Sequence, residues 1–403
     1  MDEGHFTMTG SSGEPPAGQE DEPHAILLRS HKLKSEEVAP TVRAIARCGA
    51  GTNNIPIKDM TERGVPVFNT PGANANGVKE LVLCSLFLAS RGVVEGINHT
   101  TDVICKEASD HETRNARVEK DKSKFAGQEL RGRTLAVLGL GNIGAMVAEA
   151  ALALDMKVVG YDPKISVDAA WRLSSQVTKM DSMEDAFEAA DYVSVNMPYI
   201  KGVTHHIISD DVLSHMKPTA HLLNFARGEL VDGAALERLY KKGHVGKYIS
   251  DFPDPHLQDH PKFTCIPHLG ASTGEAEDNC ARMAADQVLD FLETGTIINS
   301  VNFPNTHLDM QSAGQTRICI INKNEPGVLG QITTVLGSLG FNIAQQLNTS
   351  REAIAYNVVD VEGLGTEDIA KLKNIMAIPG VISTRVIWTG SAAEGPKDFH
   401  VNA

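Results

Sequence analysis

The sequence predicts an α/β protein with a doubly wound parallel sheet, a smaller second lobe and a C-terminal βαββαβ module. Three observations predict this class. Short apolar strands alternate with helical segments between residues 134 and 267, as in a parallel sheet covered by helices on both faces. A glycine-rich turn follows the first of these strands. Residues 316–388 then read strand, helix, strand, strand, helix, strand, which is the order of a ferredoxin-like module.

The glycine-rich turn has the spacing G-x-G-x-x-G. In a dinucleotide-binding (Rossmann) unit the first glycine permits a tight turn and the second lets the backbone approach a pyrophosphate. The third lets the helix pack closely on the strand. The pyrophosphate lies on unpaired amides at the N-terminus of the following helix. We therefore expect cofactor contacts at Gly139, Gly141, Asn142, Ile143 and Gly144.

A second apolar run, residues 157–161, ends at Asp162. This position is close to the spacing expected for the acid that binds the adenosine ribose. A carboxylate there accepts a hydrogen bond from the 2′-hydroxyl and repels a 2′-phosphate, so it favours NAD over NADP. The alternative is a surface aspartate beside a glycine turn that binds no cofactor.

Composition excludes several classes of protein. The 403 residues suffice for two or three domains, and the formal net charge of −14 argues against a nucleic-acid partner. No apolar run reaches the roughly 18 residues that cross a bilayer, and the acidic first residues do not resemble a signal peptide. Six cysteines without C-x-x-C spacing favour reduced thiols in the cytoplasm and no metal site. Positive charge for an anionic substrate must therefore be gathered locally.

Two further polar residues follow predicted strands directly. Arg227 ends the run Leu223–Arg227, and His268 ends the run Thr264–His268. Ligands of open α/β sheets bind beyond the carboxyl ends of the strands, so both side chains are expected in the cofactor crevice. A guanidinium can hold a carboxylate by two parallel hydrogen bonds, and a histidine can take and return a proton. Alone, each residue is more often a surface or structural residue; the pair favours a catalytic site.

Six motifs in this order resemble the D-isomer-specific 2-hydroxyacid dehydrogenase family, and the resemblance covers about Ala25 to Trp388. Within the family the chain is similar to the members that act on phosphoglycerate and carry a C-terminal ACT regulatory domain. The motifs are Arg43–Asn54, Val67–Asn74, the glycine turn, Asn224–Asp232, Pro267–Thr273 and Asn299–Pro304.

The resemblance implies a division of the chain into domains. A flavodoxin-like substrate-binding domain comprises residues 23–75 and 276–300, and the NAD-binding domain is 76–275. A linker, 301–315, leads to the ACT-like domain, 316–389. Residues 1–22 are expected to be disordered because their polar composition cannot bury a core, and residues 390–403 are expected to form a disordered tail.

The resemblance also implies residue roles. His268 matches the general base, and Arg227 matches the ligand of the substrate carboxylate and C2 oxygen. Asp251 matches the acid that holds the nicotinamide carboxamide. The remaining expected cofactor contacts are Pro198, Thr204, Ala226, His268 and Gly270, and the expected substrate contacts are Arg29, Ser30, Gly49, Ala50, Gly51, Asn74 and Arg227. Arg29, with Lys32 and Lys34 nearby, supplies the local positive charge for a phosphate; its alternative is a solvated strand end.

Three departures from the family pattern stand out. The family pairs its histidine with a Glu before a Pro, whereas this chain has the shorter Asp254 in that slot as the expected catalytic carboxylate. The strand and helix that open the family's substrate lobe have no counterpart ahead of Arg29. The ACT-like domain keeps Asn324 and Asn342, which match serine-binding positions, but Asn322 replaces the expected histidine. Serine is therefore an expected effector whose site is incomplete.

The activity implied is oxidation of 3-phospho-D-glycerate to 3-phosphohydroxypyruvate with NAD, the first step of L-serine synthesis. One alternative is another D-2-hydroxyacid dehydrogenase, such as a hydroxypyruvate or glyoxylate reductase. A second is a non-enzymatic, NADH-sensing protein of the corepressor type. The resemblance of the apolar helix 78–91 to the family's dimerisation helix implies a homodimer or homotetramer.

Overall fold

The computed structural model describes residues 23–309, 315–388 and 397–400. The chain forms two compact units. The central unit is Asn74–Glu277, and the split unit combines the described residues of 1–73 with those of 278–403. The N-terminal segment predicted to be disordered, 1–22, lies outside the described residues, as do residues 310–314 of the predicted linker. The predicted domain boundaries stay a prediction.

The split unit begins with a three-stranded parallel sheet of order β1-β2-β3. Its strands are β1 (Ala25–Leu28), β2 (Ala44–Arg47) and β3 (Val67–Phe68), with a 3₁₀ turn at Ser35–Glu37 and helix α1 (Ile57–Glu62) between them. Strand β2 is central and its apolar residues are fully buried. Strand β1 therefore lies at the edge of this sheet within the described residues.

The central unit contains a seven-stranded, wholly parallel sheet of order β10-β9-β8-β7-β4-β5-β6. The chain winds outward from β4 in both directions, so the order reverses between β4 and β7, as expected for a doubly wound sheet. The strands are β4 (Thr134–Leu138), β5 (Lys157–Tyr161), β6 (Val177–Lys179), β7 (Tyr192–Val195), β8 (His221–Asn224), β9 (Tyr248–Ser250) and β10 (Phe263–Cys265). The sequence predicted strands at 134–138, 157–161, 191–196, 220–224, 247–251 and 263–266, and it missed only β6, whose three residues carry little apolar signal.

Helices cover both faces of this sheet. Helix α2 (Ala75–Ser90) packs against α6 (Asn142–Ala153) on one face, where Val82, Leu86 and Val147 are fully buried. The other face is covered by α8 (Met183–Ala189), α9 (Asp210–Leu213) and α10 (Gly233–Lys241). The remaining elements are α3 (Val93–His99), a π-helical turn (Thr100–Ile104), α4 (Cys105–Glu107), α5 (His111–Asp121), α7 (Val167–Trp171) and the 3₁₀ turns Lys122–Phe125 and Gly228–Leu230.

Helix α11 (Gly274–Thr294) leads into the rest of the split unit, whose second sheet has the order β12-β13-β11-β14-β15. This antiparallel sheet contains the predicted βαββαβ order. Its elements are β11 (Gln315–Lys323), α12 (Val328–Ser338), β12 (Asn342–Arg351), β13 (Ile354–Glu362), the 3₁₀ helix Thr366–Leu372, α13 (Lys373–Met376), β14 (Val381–Trp388) and β15 (Lys397–His400). The fold class predicted from the sequence is therefore confirmed.

Strand β15 corrects the prediction of a disordered tail, 390–403, for Lys397–His400 only, because the other residues of that segment lie outside the described residues. Lys397–His400 pair antiparallel with Arg385–Trp388 of β14. Without β15, β14 would lie at the edge of the sheet with a row of unpaired backbone groups, and such an edge readily accepts another strand. No pattern in these four residues indicates a strand, because their pairing is made by main-chain groups of β14.

The two faces of the antiparallel sheet have different partners. Helices α12 and α13 cover one face with a fully apolar core that includes Ile332 and Ile375. The other face packs on Val288 and Phe291 of α11 and on Phe303, in a core that extends to Phe68 of β3. The segment predicted as a linker, 301–315, is therefore partly buried, because the Phe303 side chain packs fully inside this core.

Polar side chains from this second face reach the C-terminus of α11. Arg317 donates to the carbonyl of Thr294, Arg385 donates to those of Phe291 and Leu292, and the Tyr356 hydroxyl donates to that of Gly295. The last carbonyls of a helix have no partner within the helix and carry partial negative charge. The sheet therefore caps α11 with two cations and one hydroxyl.

Candidate active site

The three glycines of the turn between β4 and α6 meet different surroundings. Gly139 has φ +86°, and a Cβ there would lie 2.9 Å from the backbone of Asn196. A Cβ on Gly144 would lie 1.9 Å from the carbonyl oxygen of Gly139. A Cβ on Gly141 would meet nothing within 4 Å. The first and third glycines are thus required by packing, while the second leaves open space at the N-terminus of α6, where a phosphate fits.

Asp162 follows β5, and its carboxylate accepts hydrogen bonds from two backbone amides. One carboxylate oxygen accepts from the amide of Leu140 at 2.9 Å, inside the glycine turn, and the other accepts from the amide of Lys164 at 2.9 Å. Each carboxylate oxygen can accept a second hydrogen bond. Asp162 therefore fixes the turn and keeps acceptor capacity for a ribose hydroxyl.

The loop after β7 contains the predicted contacts Pro198 and Thr204. The Thr204 hydroxyl donates to the carbonyl of Pro198 at 3.0 Å and accepts from the amide of Ile200 at 2.6 Å. These bonds close the loop on itself. Because β7 is the neighbour of β4, the loop lies at the same sheet edge as the glycine turn.

Asp251 follows β9 and is 1% exposed. One of its carboxylate oxygens accepts from the amide of Gly270 at 3.1 Å, and the other is buried without a partner in the described residues. Burial raises the pKa of Asp251, against the opposing effects of the Gly270 bond and of the His268 and Arg227 charges. An unpartnered buried acceptor is costly. It fits an amide donor supplied by a ligand, such as the nicotinamide carboxamide.

Arg227 lies three residues beyond the end of β8 and is exposed. Asn224 organises this loop, since its amide donates to the Arg227 carbonyl at 2.9 Å and its oxygen accepts from the amide of Ala226 at 3.1 Å. The guanidinium donates to the Ala226 carbonyl at 2.7 Å and pairs with no carboxylate of the described residues. The loop thus presents a cation that is available to an anionic ligand.

His268 lies three residues beyond the end of β10, with φ +38°. Its amide donates to the carbonyls of Asp251 and Ile266, at 3.1 and 2.9 Å, and its ring lies 4.8 Å from that of Phe252. A left-handed backbone is unfavourable for a residue with a Cβ, and such residues cluster at functional sites. The imidazole is exposed and has no hydrogen-bond partner in the described part of the chain.

Asp254 does not take the place expected for the partner of His268. Its carboxylate lies against Gly233 at the start of α10, where an added Cβ would be 2.0 Å from one oxygen, and the other accepts from the amide of His256 at 2.8 Å. No hydrogen bond joins it to His268 within the described residues. The short loop after β9 turns the carboxylate toward α10. The catalytic role of Asp254 stays a prediction that this geometry does not support.

The expected substrate contacts of the split unit lie beside β1 and β2. Arg47 donates to the Arg29 carbonyl at 3.2 Å, and its guanidinium occupies the place that a Cβ of Gly49 would take. Arg47 was not among the residues predicted from the sequence, although it lies two residues before Gly49 in the motif Arg43–Asn54. Ser30, Ala50 and Gly51 belong to the same two loops, whereas Asn74 precedes α2 in the central unit.

The two expected effector residues lie at opposite ends of the antiparallel sheet. Asn342 pairs with Glu362 in the strand register and donates to its carboxylate at 2.9 Å. Asn324 donates to the carbonyl of Glu352 at 3.1 Å, beyond the other end of β13. About nine register positions separate them, on the order of 30 Å, because Asn324 lies beside Ala353 and Asn342 lies beside Glu362. Asn322 is buried and accepts from Asn357 at 2.6 Å. One chain therefore does not bring Asn324 and Asn342 into a single pocket.

Comparison with known proteins shows the family of the chain. The family model described as "D-isomer specific 2-hydroxyacid dehydrogenase, NAD binding domain" matches residues 104–270. D-3-phosphoglycerate dehydrogenase of Dictyostelium discoideum is 30% identical, over 91% of this chain and 87% of the relative.

Two solved structures are also similar to this chain. NAD⁺-bound 3-phosphoglycerate dehydrogenase of Entamoeba histolytica is 26% identical, with a TM-score of 0.54, over 71% of this chain and 83% of that one. D-mandelate dehydrogenase of Rhodotorula graminis is 25% identical, with a TM-score of 0.58, over 70% and 84%. By its 30% identity to relatives along 91% of its length, the chain belongs to the D-isomer-specific 2-hydroxyacid dehydrogenases, among the D-3-phosphoglycerate dehydrogenases.

Proposed function

We propose that this protein oxidises 3-phospho-D-glycerate at C2 to 3-phosphohydroxypyruvate with NAD, the first step of L-serine synthesis. The observation that carries the proposal is the 30% identity to D-3-phosphoglycerate dehydrogenases along 91% of the chain. The exposed Arg227 and His268, both beyond the carboxyl ends of strands of one sheet, support it.

The residues at that edge fit NAD. The open space at Gly141 would accommodate the pyrophosphate on the amides of Asn142 and Ile143, and Asp162 would accept a hydrogen bond from the ribose. The oxygen of Asp251 that has no partner in the described residues would accept one from the carboxamide. When bound, NAD supplies the acceptor for the hydride that leaves C2.

The protein supplies the proton transfer and the anion binding. His268 takes the proton of the C2 hydroxyl during oxidation and returns it during reduction. Arg227 binds the substrate carboxylate through two parallel N–H groups of its planar guanidinium and stabilises the developing carbonyl oxygen. We propose that Arg29 and Ser30 bind the phosphate, with Gly49–Gly51 and Asn74 at the carboxylate, and that Arg47 adds a second cation beside Gly49.

The test is to follow NADH formation with 3-phospho-D-glycerate, D-glycerate and D-lactate in parallel. We expect phosphoglycerate to be preferred on the order of a hundredfold or more, because a site built for a phosphate is left with unpaired donors by the other two. His268→Ala and Arg227→Ala should each lower turnover on the order of a hundredfold or more.

Matched controls are His215→Ala and Arg131→Ala, since both residues are exposed in the central unit and lie outside the site. They should keep wild-type turnover. Equal rates with phosphoglycerate and D-lactate would instead favour a general D-2-hydroxyacid dehydrogenase. Tight NADH binding without turnover of any of the three substrates would favour the sensor alternative.

The oligomeric state and the cellular location of the protein are proposals as well. We propose a homodimer through the ends of α2 and α3, because Phe87, Val93 and Ile97 are 48%, 43% and 59% exposed. Ile97→Glu should shift sedimentation toward the monomer, whereas Val167→Glu, at another exposed apolar position, should not. No helix of the described residues is long and apolar enough to cross a membrane. We place the enzyme in the cytoplasm, which cell fractionation tests.

We also propose that the domains divide at the boundaries predicted from the sequence and that L-serine is an effector. Because Asn324 and Asn342 lie far apart in one chain, a serine site that uses both requires two copies. Serine should then lower the rate of NADH formation in the wild type. The Asn342→Ala variant should resist it, and an unchanged rate in both would remove the effector proposal.

A further inference from the structure

A polar pocket of about 390 Å³ lies within the split unit, at residues that no predicted role includes. Three segments form it: the residue after β3, the irregular segment before β11, and the end of β12. Its polar lining residues are Asn69, Asn299, Ser300, Asn305, Ser350 and Arg351. No carboxylate lines it, so in a chain of net charge −14 its local charge is that of one guanidinium.

The Arg351 guanidinium is held in place by the protein. One of its terminal nitrogens donates to the Ser300 carbonyl at 3.0 Å, with a longer contact to that of Phe303 at 3.5 Å. The other terminal nitrogen and Nε have no partner in the described residues, and no described carboxylate pairs with Arg351. A guanidinium fixed on one side and unpaired along the edge formed by these two nitrogens has the geometry that binds a carboxylate or phosphate by two bonds.

Two neutral donors line the same pocket. Asn305 uses its side-chain oxygen to accept from the amide of Asn299 at 3.1 Å, which leaves its NH₂ group without a partner among the described residues. The Ser350 hydroxyl likewise has none there. Unused donors together with a fixed cation select a ligand rich in acceptor oxygens.

We propose that this pocket binds a small oxyanion, a carboxylate or phosphate group, through Arg351, Asn305 and Ser350. The pocket is connected to a predicted substrate loop, because Asn69 donates to the Ala50 carbonyl at 2.7 Å and the Thr70 amide donates to that of Gly49 at 3.1 Å. A bound anion holds the end of β12 against residues 299–305 and steadies that loop. The site is distinct from the phosphate contact expected at Arg29.

The experiment titrates the full chain with inorganic phosphate and, separately, with malonate, by calorimetry at constant ionic strength. The two arms show whether phosphate or carboxylate is preferred. The critical variant is Asn305→Asp, which keeps the oxygen that accepts from Asn299 and replaces the free NH₂ by a negative charge. We expect it to weaken anion binding at least about tenfold, or about 1.4 kcal/mol, while the melting temperature without anion stays near that of the wild type.

Arg351→Met should weaken binding similarly, and Arg131→Met, an exposed arginine of the central unit, should leave it unchanged. Arg29→Met should retain this binding event. Three results would overturn the proposal: no saturable heat with either anion, wild-type affinity in Asn305→Asp, or loss of all binding in Arg29→Met alone. These results can still be interpreted if Arg351→Met fails to fold, because Asn305→Asp keeps the hydrogen bond from the Asn299 amide.

Discussion

The parallel sheet of the central unit and the antiparallel sheet of the split unit place their polar side chains in opposite positions. In the parallel sheet the residues Arg227 and His268 lie beyond the strand ends and are exposed. In the antiparallel sheet Arg317 and Asp360 lie within the strands and are buried. Helices cover both faces of the first sheet, so charge is confined to its edge, where ligands bind. The second sheet faces a helix terminus whose carbonyls need donors.

The largest loss of stability should come from breaking the buried ion pair between Arg317 and Asp360. Arg317 donates to both oxygens of Asp360, at 2.7 and 2.8 Å, and its other three N–H groups bond the carbonyls of Thr294, Leu308 and Asp309. Arg317→Met leaves Asp360 buried without its cation. We expect the free energy of unfolding to fall by about 3–5 kcal/mol, measured by urea denaturation.

The double variant Arg317→Met/Asp360→Leu sharpens this comparison, because it removes both charges. It should recover part of the loss, since replacing a whole buried ion pair costs less than removing one partner. Arg131→Met, whose partner Asp155 is exposed, is the surface control. A loss in Arg317→Met no greater than in that control would show that the buried pair does not stabilise the split unit.

The two sheets also differ in how far sequence predicts them. The carboxyl edge of the parallel sheet was predictable, because Gly139 and Asp162 directly follow their strands and Arg227 comes three residues after β8, which places all three at that edge. The role of Arg317 was not, since its partner Asp360 is 43 positions away and only the strand register brings them together. The orientation of Asp254 also escaped prediction, because it depends on how the loop after β9 meets α10.

The next prediction concerns the pH dependence of stability, through a polar residue that the parallel sheet does bury. His221, at the start of β8, is 7% exposed, accepts from the Lys247 amide at 2.9 Å and stacks on Tyr192. Burial, with the nearby Lys247 charge, lowers its pKa to about 4, so the folded protein keeps it neutral. Since the unfolded chain binds a proton below about pH 6.5, stability is full above that pH and is lost as the pH falls toward 4.

We expect the free energy of unfolding to drop by about 2 kcal/mol from about pH 7.5 to about pH 5 through this one residue. The measurement is urea denaturation at several pH values in the wild type and in His221→Asn, whose side-chain oxygen can still accept from Lys247. The variant should lose this part of the pH dependence, whereas His215→Asn, at an exposed histidine, should not. The same pH dependence in all three proteins would contradict the assignment.

A loss of stability of similar size in one variant, and almost none in the other, should separate the two kinds of glycine at the carboxyl edge. A Cβ at Gly144 would overlap the Gly139 carbonyl, so Gly144→Ala should destabilise the protein by about 1–3 kcal/mol. A Cβ at Gly141 has free space, so Gly141→Ala should keep the melting temperature but raise the Kd for NADH at least about tenfold through contact with the pyrophosphate. Thermal unfolding and a fluorescence titration with NADH test the pair. Wild-type affinity in Gly141→Ala would remove the phosphate from this turn.

The smallest effect should come from Asp162, the one edge residue that both holds the fold and selects the ligand. Asp162→Asn keeps an oxygen that can accept from the Leu140 amide but loses the charge that repels a 2′-phosphate. Its stability should change by less than about 1 kcal/mol, while the ratio of kcat/KM with NADP to that with NAD should rise on the order of tenfold. Asp162→Ala should raise the same ratio and also lose about 1 kcal/mol of stability, because the Leu140 amide loses its acceptor. If the ratio stayed fixed in both variants, Asp162 would serve the turn alone, and the parallel sheet would then have a structural carboxylate at its edge, as the antiparallel sheet has one in its interior.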